Sequence, residues 1–358
     1  MNSRSSLPEN FKQPGMSDFP FKRLSTPFSL VLKKFSALKS YKPVFCGLPF
    51  TIQNIPGMSS QELVYNGDIP MEFHSSEHPF VKGSQVILKL NSSDYYNYDD
   101  ISDYFNEPRR IHVHHKNKPS TLEYWQRNKL KIKTQAHKIT RGKITEYELR
   151  EALYKLNYEP TAFRNTITCA FTELFKSKSG FSMSEGYGDR MISAMAKMDF
   201  YTGVDPDSET HKGYAEIISA LSPHSKCQVE LLQSPFEEAI LSKSDYDLHI
   251  ASPPYFAYEI YSQDENQSVN RFPEFEAWYN NFLIISIKKT LQAVKVGGVS
   301  IIIINDSSTE PPFVKRMIAE ISNLDFVEYL GCIAYAEIKT TPVLSIRRPQ
   351  PCWIFKRV

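Results

Sequence analysis

A doubly wound α/β fold, with a seven-stranded sheet covered by helices on both sides, is what the sequence predicts for residues 146–358. Two observations lead there. From "TEYELREALYKLN" (145–157) onward, helical periodicity alternates with short apolar strands, the pattern of a parallel sheet with crossover helices. The last two apolar strands then follow one another without a helix between them, as a terminal hairpin closing the sheet would.

The elements can be justified in order. "PTAFRNTITCAFTELFKSK" reads as a helix, "GFSMSEGYGD" as a strand running into a glycine turn, and "RMISAMAKM" as the next helix. "FYTGVDPD" is a strand ending in acid, "HKGYAEIISAL" a helix, and "CQVELLQ" a strand followed by a short helix at "SPFEEAILSK". "YDLHIAS" is the fourth strand. "PEFEAWYNNFLIISIKKTLQAVKVGG" predicts a long helix with a Gly-Gly stop. "VSIIIIND", a helix through "PPFVKRMIAEISNL", "DFVEYLGCIAY" and "PCWIFKR" complete the set.

Upstream, the pattern is different. Residues 1–45 are rich in Ser, Pro and Lys without sustained periodicity and are expected to be a flexible basic arm. Residues 46–145 mix short strand-like pieces such as "SQVILKL" with loops, a mixed α+β extension to the sheet. The net charge of +2 hides an uneven distribution. Between Arg109 and Lys143 eleven Lys and Arg face one acid, Glu123, whereas "SSDYYNYDDISDYFNE" just before is acidic and rich in Tyr. Two readings of the basic stretch stand side by side. It is a solvated surface, or it binds nucleic acid through Arg109, Arg110, Lys116, Arg127, Lys129, Lys131 and Lys133, with Tyr124 and Trp125 as stacking surfaces. His112, His114 and His115 lack carboxylate or Cys support and belong to the basic face rather than to a metal site.

The longest apolar run, "VSIIII", falls far short of the ~20 residues that span a bilayer. No apolar signal-peptide core opens the chain, and the five cysteines form no CxxC pair. The expectation is a protein of a reducing compartment, cytoplasmic or nuclear, with no membrane partner. A homodimer or a partner subunit is left open.

Three features fall at the ends of successive strands, where open α/β sheets bind ligands. Gly186-Tyr187-Gly188 precedes a helix; it is either a plain turn or a loop that lets the backbone approach a ligand. Asp205 ends the next strand, as a helix cap or as an acceptor for two ribose hydroxyls. Ser252-Pro253-Pro254-Tyr255 ends the fourth strand. Two prolines cannot continue a ladder, so they hold a rigid turn at the place where a ligand would sit.

Together these motifs resemble the class I S-adenosylmethionine-dependent methyltransferases, and among them the amino-methyltransferases of cytosine N4 or adenine N6. Their [DNS]-PP-[YFW] signature is matched by Ser252 to Tyr255, their glycine motif by Gly186 and Gly188, and their acidic strand end by Asp205. "EGYGDRMISAMA" is similar to a form found in phage and large-virus members. The resemblance implies a Rossmann-like methyltransferase sheet, S-adenosylmethionine as cofactor and a DNA or RNA substrate. Ser252, Pro253, Pro254 and Tyr255 would be catalytic. Glu185, Gly186, Gly188, Asp205, Ser234, Phe236 and Ser252 would line the cofactor site. It further implies that Ser252 and the Pro253 carbonyl accept the two amine hydrogens while Tyr255 stacks on an extruded base. Ser in place of Asp or Asn leans toward cytosine N4.

The match has gaps. Family members carry an acid and an aromatic ahead of the glycines, where this chain has Ser182 and Ser184, with Glu185 the expected substitute for holding the methionine amine. "EPTAFRNTI" (159–167) resembles the cofactor-side element that precedes the glycine motif. Any recognition region is expected in residues 46–145. A catalytically degenerate subunit that binds nucleic acid is the alternative reading.

Overall fold

The computed structural model describes residues 12, 15–47, 64–66, 68–74, 85–90, 98–115, 118–160, 162–306, 311–339 and 345–358. Its strands are β1 (Val44–Gly47), β2 (Val64–Tyr65), β3 (Ile69–Pro70), β4 (Val86–Leu90), β5 (His114–His115), β6 (Ser179–Ser182), β7 (Phe200–Val204), β8 (Gln228–Leu232), β9 (Tyr246–Ala251), β10 (Glu259–Ile260), β11 (Val294–Ile302), β12 (Val327–Lys339) and β13 (Ser345–Arg357). The N-terminal helices are α1 (Phe28–Ser40), α2 (Asp99–Arg110), α3 (Thr121–Arg127), α4 (Lys129–His137) and α5 (Glu146–Leu156). Those threaded through the sheet are α6 (Asn165–Leu174), α7 (Asp189–Lys197), α8 (Ser208–Leu221), α9 (Ser268–Arg271), α10 (Phe275–Trp278), α11 (Ile285–Ala293) and α12 (Val314–Ser322).

The central sheet runs β1-β4-β12-β13-β11-β9-β6-β7-β8. From β11 to β8 every pairing is parallel, and β13 enters antiparallel between β11 and β12. The expected strands are all present, with β12 and β13 as the terminal hairpin. The sheet nevertheless has nine strands and not seven. β4 pairs parallel with β12 and β1 antiparallel with β4, so strands upstream of the α/β alternation continue the same sheet.

Alternating residues face two separate cores. Val86, Leu88, Ile301, Ile303 and Ile354 pack on the face covered by α1, α6, α7 and α8. Ile87, Ile302, Ile304, Trp353 and Phe355 pack on the opposite face with α10, α11 and α12. Fully burying each such side chain contributes roughly 1.5–3 kcal/mol, so both helical layers are fixed to the sheet. A third cluster, Phe19, Phe21, Ile111, Trp125, Ile132 and Leu153, joins α3, α4 and α5 to the N-terminal segment.

Three local expectations are corrected. Residues 234–243 form turns and not a short helix. The Gly297-Gly298 pair lies within β11, with Gly297 at φ 81°, and the preceding helix ends at Ala293 after a π-helical turn, Tyr279–Ile284. The described part of the supposed basic arm is packed: Phe19 and Phe21 are fully buried, and α1 places Val31, Phe35 and Leu38 in the core. Apolar residues at i, i+4 and i+7 of α1 carry that outcome despite the polar composition around them.

Candidate active site

β6 leaves the sheet at Ser182, and the chain turns through residues 183–188 into α7. Gly186 and Gly188 have φ of 66° and 94°, a left-handed backbone that other residues adopt only under strain. A Cβ on Gly188 would also lie 2.7 Å from Ile217 Cδ1, so a side chain there would have to displace the Ile217 tip as well as strain the backbone. The loop is braced from below. Met191 N–H donates to Glu185 Oε1 at 2.8 Å, and the Tyr201 hydroxyl donates to Oε2 at 2.5 Å. Tyr214 donates to the Gly186 carbonyl. Arg190 donates through Nε to the Ser182 hydroxyl at 3.0 Å and also to the Ser184 carbonyl. Both oxygens of Glu185 thus accept hydrogen bonds inside the protein, where they hold the loop shape.

Asp205, at the end of β7, accepts from Gly186 N–H at 2.9 Å and from Asp207 N–H at 3.0 Å. Burial pushes its carboxyl up to about 7, against the opposing effect of the two N–H donors. The cap of α8 is Asp207, which accepts from Glu209 N–H at 2.9 Å and Thr210 N–H at 3.3 Å. Of the two roles open to Asp205, capping therefore falls to its neighbour. Asp205 faces the cavity described below.

β9 ends at Ala251, and the tetrapeptide follows. The Ser252 carbonyl accepts a hydrogen bond from Ser184 Oγ at 3.3 Å, joining the glycine loop to the proline turn. Pro253 is buried behind the wall and Pro254 lies on it. The Tyr255 hydroxyl donates to the Ile303 carbonyl at 3.4 Å. Burial pushes this phenol up to about 12, partly offset by hydrogen bonds with the Ser252 and Asn305 side chains. Phe256 then adopts φ 48°, and its ring, 5.7 Å from both Phe275 and Trp278, is clamped in the second core. Such a backbone costs of order 1–3 kcal/mol and persists only where packing over-determines it.

All three motifs open onto one cavity of about 710 Å³, within the usual range for a small-molecule site. Of the expected cofactor-site residues, Glu185, Gly186, Asp205, Phe236 and Ser252 line it, whereas Gly188 and Ser234 do not. Ser234 turns its hydroxyl to the Pro235 carbonyl at 3.0 Å. Phe236 stacks on Phe181 with centroids 6.2 Å apart. The "EPTAFRNTI" segment contributes Ala162, Phe163 and Arg164 to the wall. Sequence reasoning missed Tyr158, Arg190, Glu259, Tyr261 and Asn305, which also line the cavity. Only Arg190, one helical residue beyond the glycine turn, carried a positional signal.

The basic stretch divides in two. Arg110 is buried and not available to phosphates: it pairs with Asp103 and, at 2.6 Å, with Glu159. Next to it Arg150 pairs with Glu107 at 2.7 Å and Glu159 at 2.9 Å. Arg109 pairs with Asp207 and donates to the Tyr261 carbonyl at 2.7 Å, on the cavity wall. Trp125 is buried against Phe19, so it offers no stacking surface. Arg127, Lys129, Lys131 and Lys133 do face outward from α3 and α4, with Lys129 paired to Asp18. Lys116 lies outside the described residues. His115 is buried, its ring 3.8 Å from Tyr158 and 4.3 Å from Tyr258. Among the described residues no helix is long and apolar enough to cross a membrane.

The sheet, parallel from β8 to β11 with β13 inserted antiparallel beside β12, is a doubly wound α/β sheet with the three motifs at its strand ends. No family model and no curated protein matches the chain. Solved structures that overlap it include an rRNA methylase from Streptococcus thermophilus, at 12% identity and a TM-score of 0.33 over 51% of this chain and 87% of that one. An S-adenosylmethionine-dependent O-methyltransferase from Thermotoga maritima overlaps at 12% identity and a TM-score of 0.37, covering 57% of this chain and 69% of that one. A tRNA methyltransferase from Aquifex aeolicus overlaps at 10% identity and a TM-score of 0.36, covering 55% and 69%.

Proposed function

We propose that this protein is an S-adenosylmethionine-dependent methyltransferase acting on an exocyclic amine of a nucleic-acid base, cytosine N4 or adenine N6. The observation that carries the reading is the bond between Ser184 Oγ and the Ser252 carbonyl, which sets the glycine turn and the Ser-Pro-Pro-Tyr turn side by side on one cavity. The residues present fit the cofactor. Asp205 keeps lone pairs on both oxygens for ribose hydroxyls, and Gly186 brings its backbone to the cavity wall.

The cofactor supplies an electrophilic methyl group on a sulfonium. The chain must make a poor nucleophile attack it, because the lone pair of an exocyclic amine is delocalised into its ring. Ser252 Oγ, on the cavity wall, and the carbonyl of Pro253, whose ring packs behind that wall, would accept the amine hydrogens and draw the nitrogen toward a tetrahedral shape. The prolines fix that carbonyl, so no reorganisation is needed during transfer. Bound S-adenosylmethionine would supply the methyl group and leave as S-adenosylhomocysteine, and the surplus amine proton would pass to solvent. Tyr255 provides an aromatic wall for a base taken out of its stack. Arg127, Lys129, Lys131 and Lys133 form an exposed surface for the phosphate backbone.

The test is to incubate the protein with DNA and with RNA and methyl-labelled cofactor, then digest to nucleosides and analyse by mass spectrometry. Labelled N4-methylcytosine or N6-methyladenine is expected, with no C5-methylcytosine. Cofactor binding without any labelled nucleoside would instead favour a degenerate, nucleic-acid-binding subunit.

A further inference from the structure

Glu259 sits on β10, four residues past Tyr255, where β10 pairs with β5 so that Glu259 opposes His115. Its carboxyl lines the cavity and is held by two phenols. Tyr158 donates to Oε1 at 3.0 Å, and Tyr261 donates to Oε2. The other carboxylates on the wall are differently placed. Asp205, Glu185 and Asp306 accept backbone N–H groups, Asp207 pairs with Arg109, Glu237 pairs with Arg271, and Asp189 heads α7. Among the described residues no Lys, Arg or His forms an ion pair with Glu259. A buried carboxylate met only by neutral donors lacks the counter-charge that normally accompanies burial.

The surroundings are those of a cation site. Tyr158, Tyr187 and Tyr261 line the cavity beside it, and Tyr258 lies 6.4 Å from Tyr255, centroid to centroid. Phenol oxygens and a carboxylate both accept hydrogen bonds from an alkylammonium group. Tyr187, the residue between the two glycines, supplies a second, independent sign. Its hydroxyl is buried with no hydrogen-bond partner, and burial first, then the nearby Glu259 carboxylate, pushes that phenol upward. A buried hydroxyl without a partner, at the edge of a cavity, is explained by a ligand that completes it.

We propose that Glu259, Tyr158, Tyr187 and Tyr261 form an ammonium subsite within the cavity. The inference rests on the reading of the cavity as a methyltransferase site. In that site the position usually held by an acid before the glycines is Ser182, and Glu185 is engaged elsewhere. Glu259 then reaches from the acceptor side to take the charge. The alkylammonium has two sources, the α-ammonium of the cofactor's methionyl group and an amine-bearing ligand on the acceptor side, distinct from the uncharged base amine, and the experiment separates them.

Calorimetric titrations of the full chain use S-adenosylhomocysteine, 5′-methylthioadenosine, which keeps the nucleoside and thioether but lacks the amino-acid group, and n-butylammonium added to the S-adenosylhomocysteine complex. For the cofactor source, Glu259→Gln lowers S-adenosylhomocysteine affinity roughly tenfold or more and leaves methylthioadenosine unchanged. Tyr187→Phe, which removes only the unpartnered hydroxyl, lowers S-adenosylhomocysteine affinity severalfold without loss of stability. For the acceptor source, Glu259→Gln spares S-adenosylhomocysteine but abolishes n-butylammonium binding. Folded variants that bind all three probes like the wild type overturn the subsite. A wild-type protein that binds neither nucleoside overturns the methyltransferase reading, and the n-butylammonium titration then judges the subsite alone.

Discussion

The carboxylate of Asp205 and the backbone N–H of Gly186 are 2.9 Å apart, so the end of β7 holds the turn that follows β6. One side chain thereby shapes the glycine loop and also presents lone pairs to the cavity. Because burial raises this carboxyl to about 7, its charge state changes within the physiological range. Ribose hydroxyls donate to the ionised form, so binding favours deprotonation. Affinity for 5′-methylthioadenosine, which carries the ribose but not the ammonium, is expected to rise with pH up to about 7 and level off above it. In Asp205→Asn the rise disappears and affinity falls by ~1–2 kcal/mol, as calorimetry at several pH values would show. Without ligand the sign reverses. The native chain keeps a proton that the unfolded chain has released, so this group makes the folded state less stable as pH climbs from about 4 toward 7.

Ser252→Ala removes one acceptor for the amine hydrogens and leaves the Pro253 carbonyl. The barrier is expected to rise by roughly 2–4 kcal/mol, seen as a fall in single-turnover rate with cofactor affinity retained. Tyr255→Ala additionally loses the aromatic wall, worth ~1–3 kcal/mol, and shows it as weaker capture of the base. Full rate in Ser252→Ala would end the proposed mechanism.

Arg110 and Arg150 make a structural prediction. Either one changed to Ala leaves buried carboxylates uncompensated, since Arg110 faces Asp103 and Glu159, and Arg150 faces Glu107 and Glu159. A loss of about 3–5 kcal/mol is expected in denaturant unfolding. Arg110→Ala should leave the salt dependence of nucleic-acid binding unaltered.

Lys129, Lys131 and Lys133 behave oppositely. They are exposed along α4, and replacing all three with Gln should cost little stability. The slope of log affinity against log salt should shrink by roughly 2–3 units if each meets a phosphate. An unchanged slope in a filter-binding series would mark the surface as merely solvated.

Much of the sheet was legible because its strands are short apolar runs bounded by turn residues, and the site because its glycines, acid and prolines stand at strand ends. What escaped has physical reasons. Arg110 and Lys133 look alike in a basic stretch, since a sequence shows charge but not the partner that buries it. Glu185 stands beside the glycines yet turns inward to Tyr201, a choice made by its neighbours in space. Glu259 and Tyr158, brought together at 3.0 Å, are separated in the chain by most of the α/β alternation. α1 was hidden by Ser and Lys around three core residues, and β4 joined the sheet through a partner far along the chain.

That last pairing bears on how the protein is made. β4 is complete once residue 90 has left the ribosome, yet its register partner across the sheet begins with Ile333 opposite Val86. At about 5–20 residues per second the interval is on the order of ten to fifty seconds. Through all of it Val86, Ile87, Leu88 and Leu90, every one fully buried at the end, have no sheet to join but the antiparallel pairing with the four-residue β1. The nascent chain therefore carries a sticky, unpaired strand edge until Ile333 and the residues after it have emerged, which makes chaperone dependence and synthesis rate determinants of the yield of folded protein.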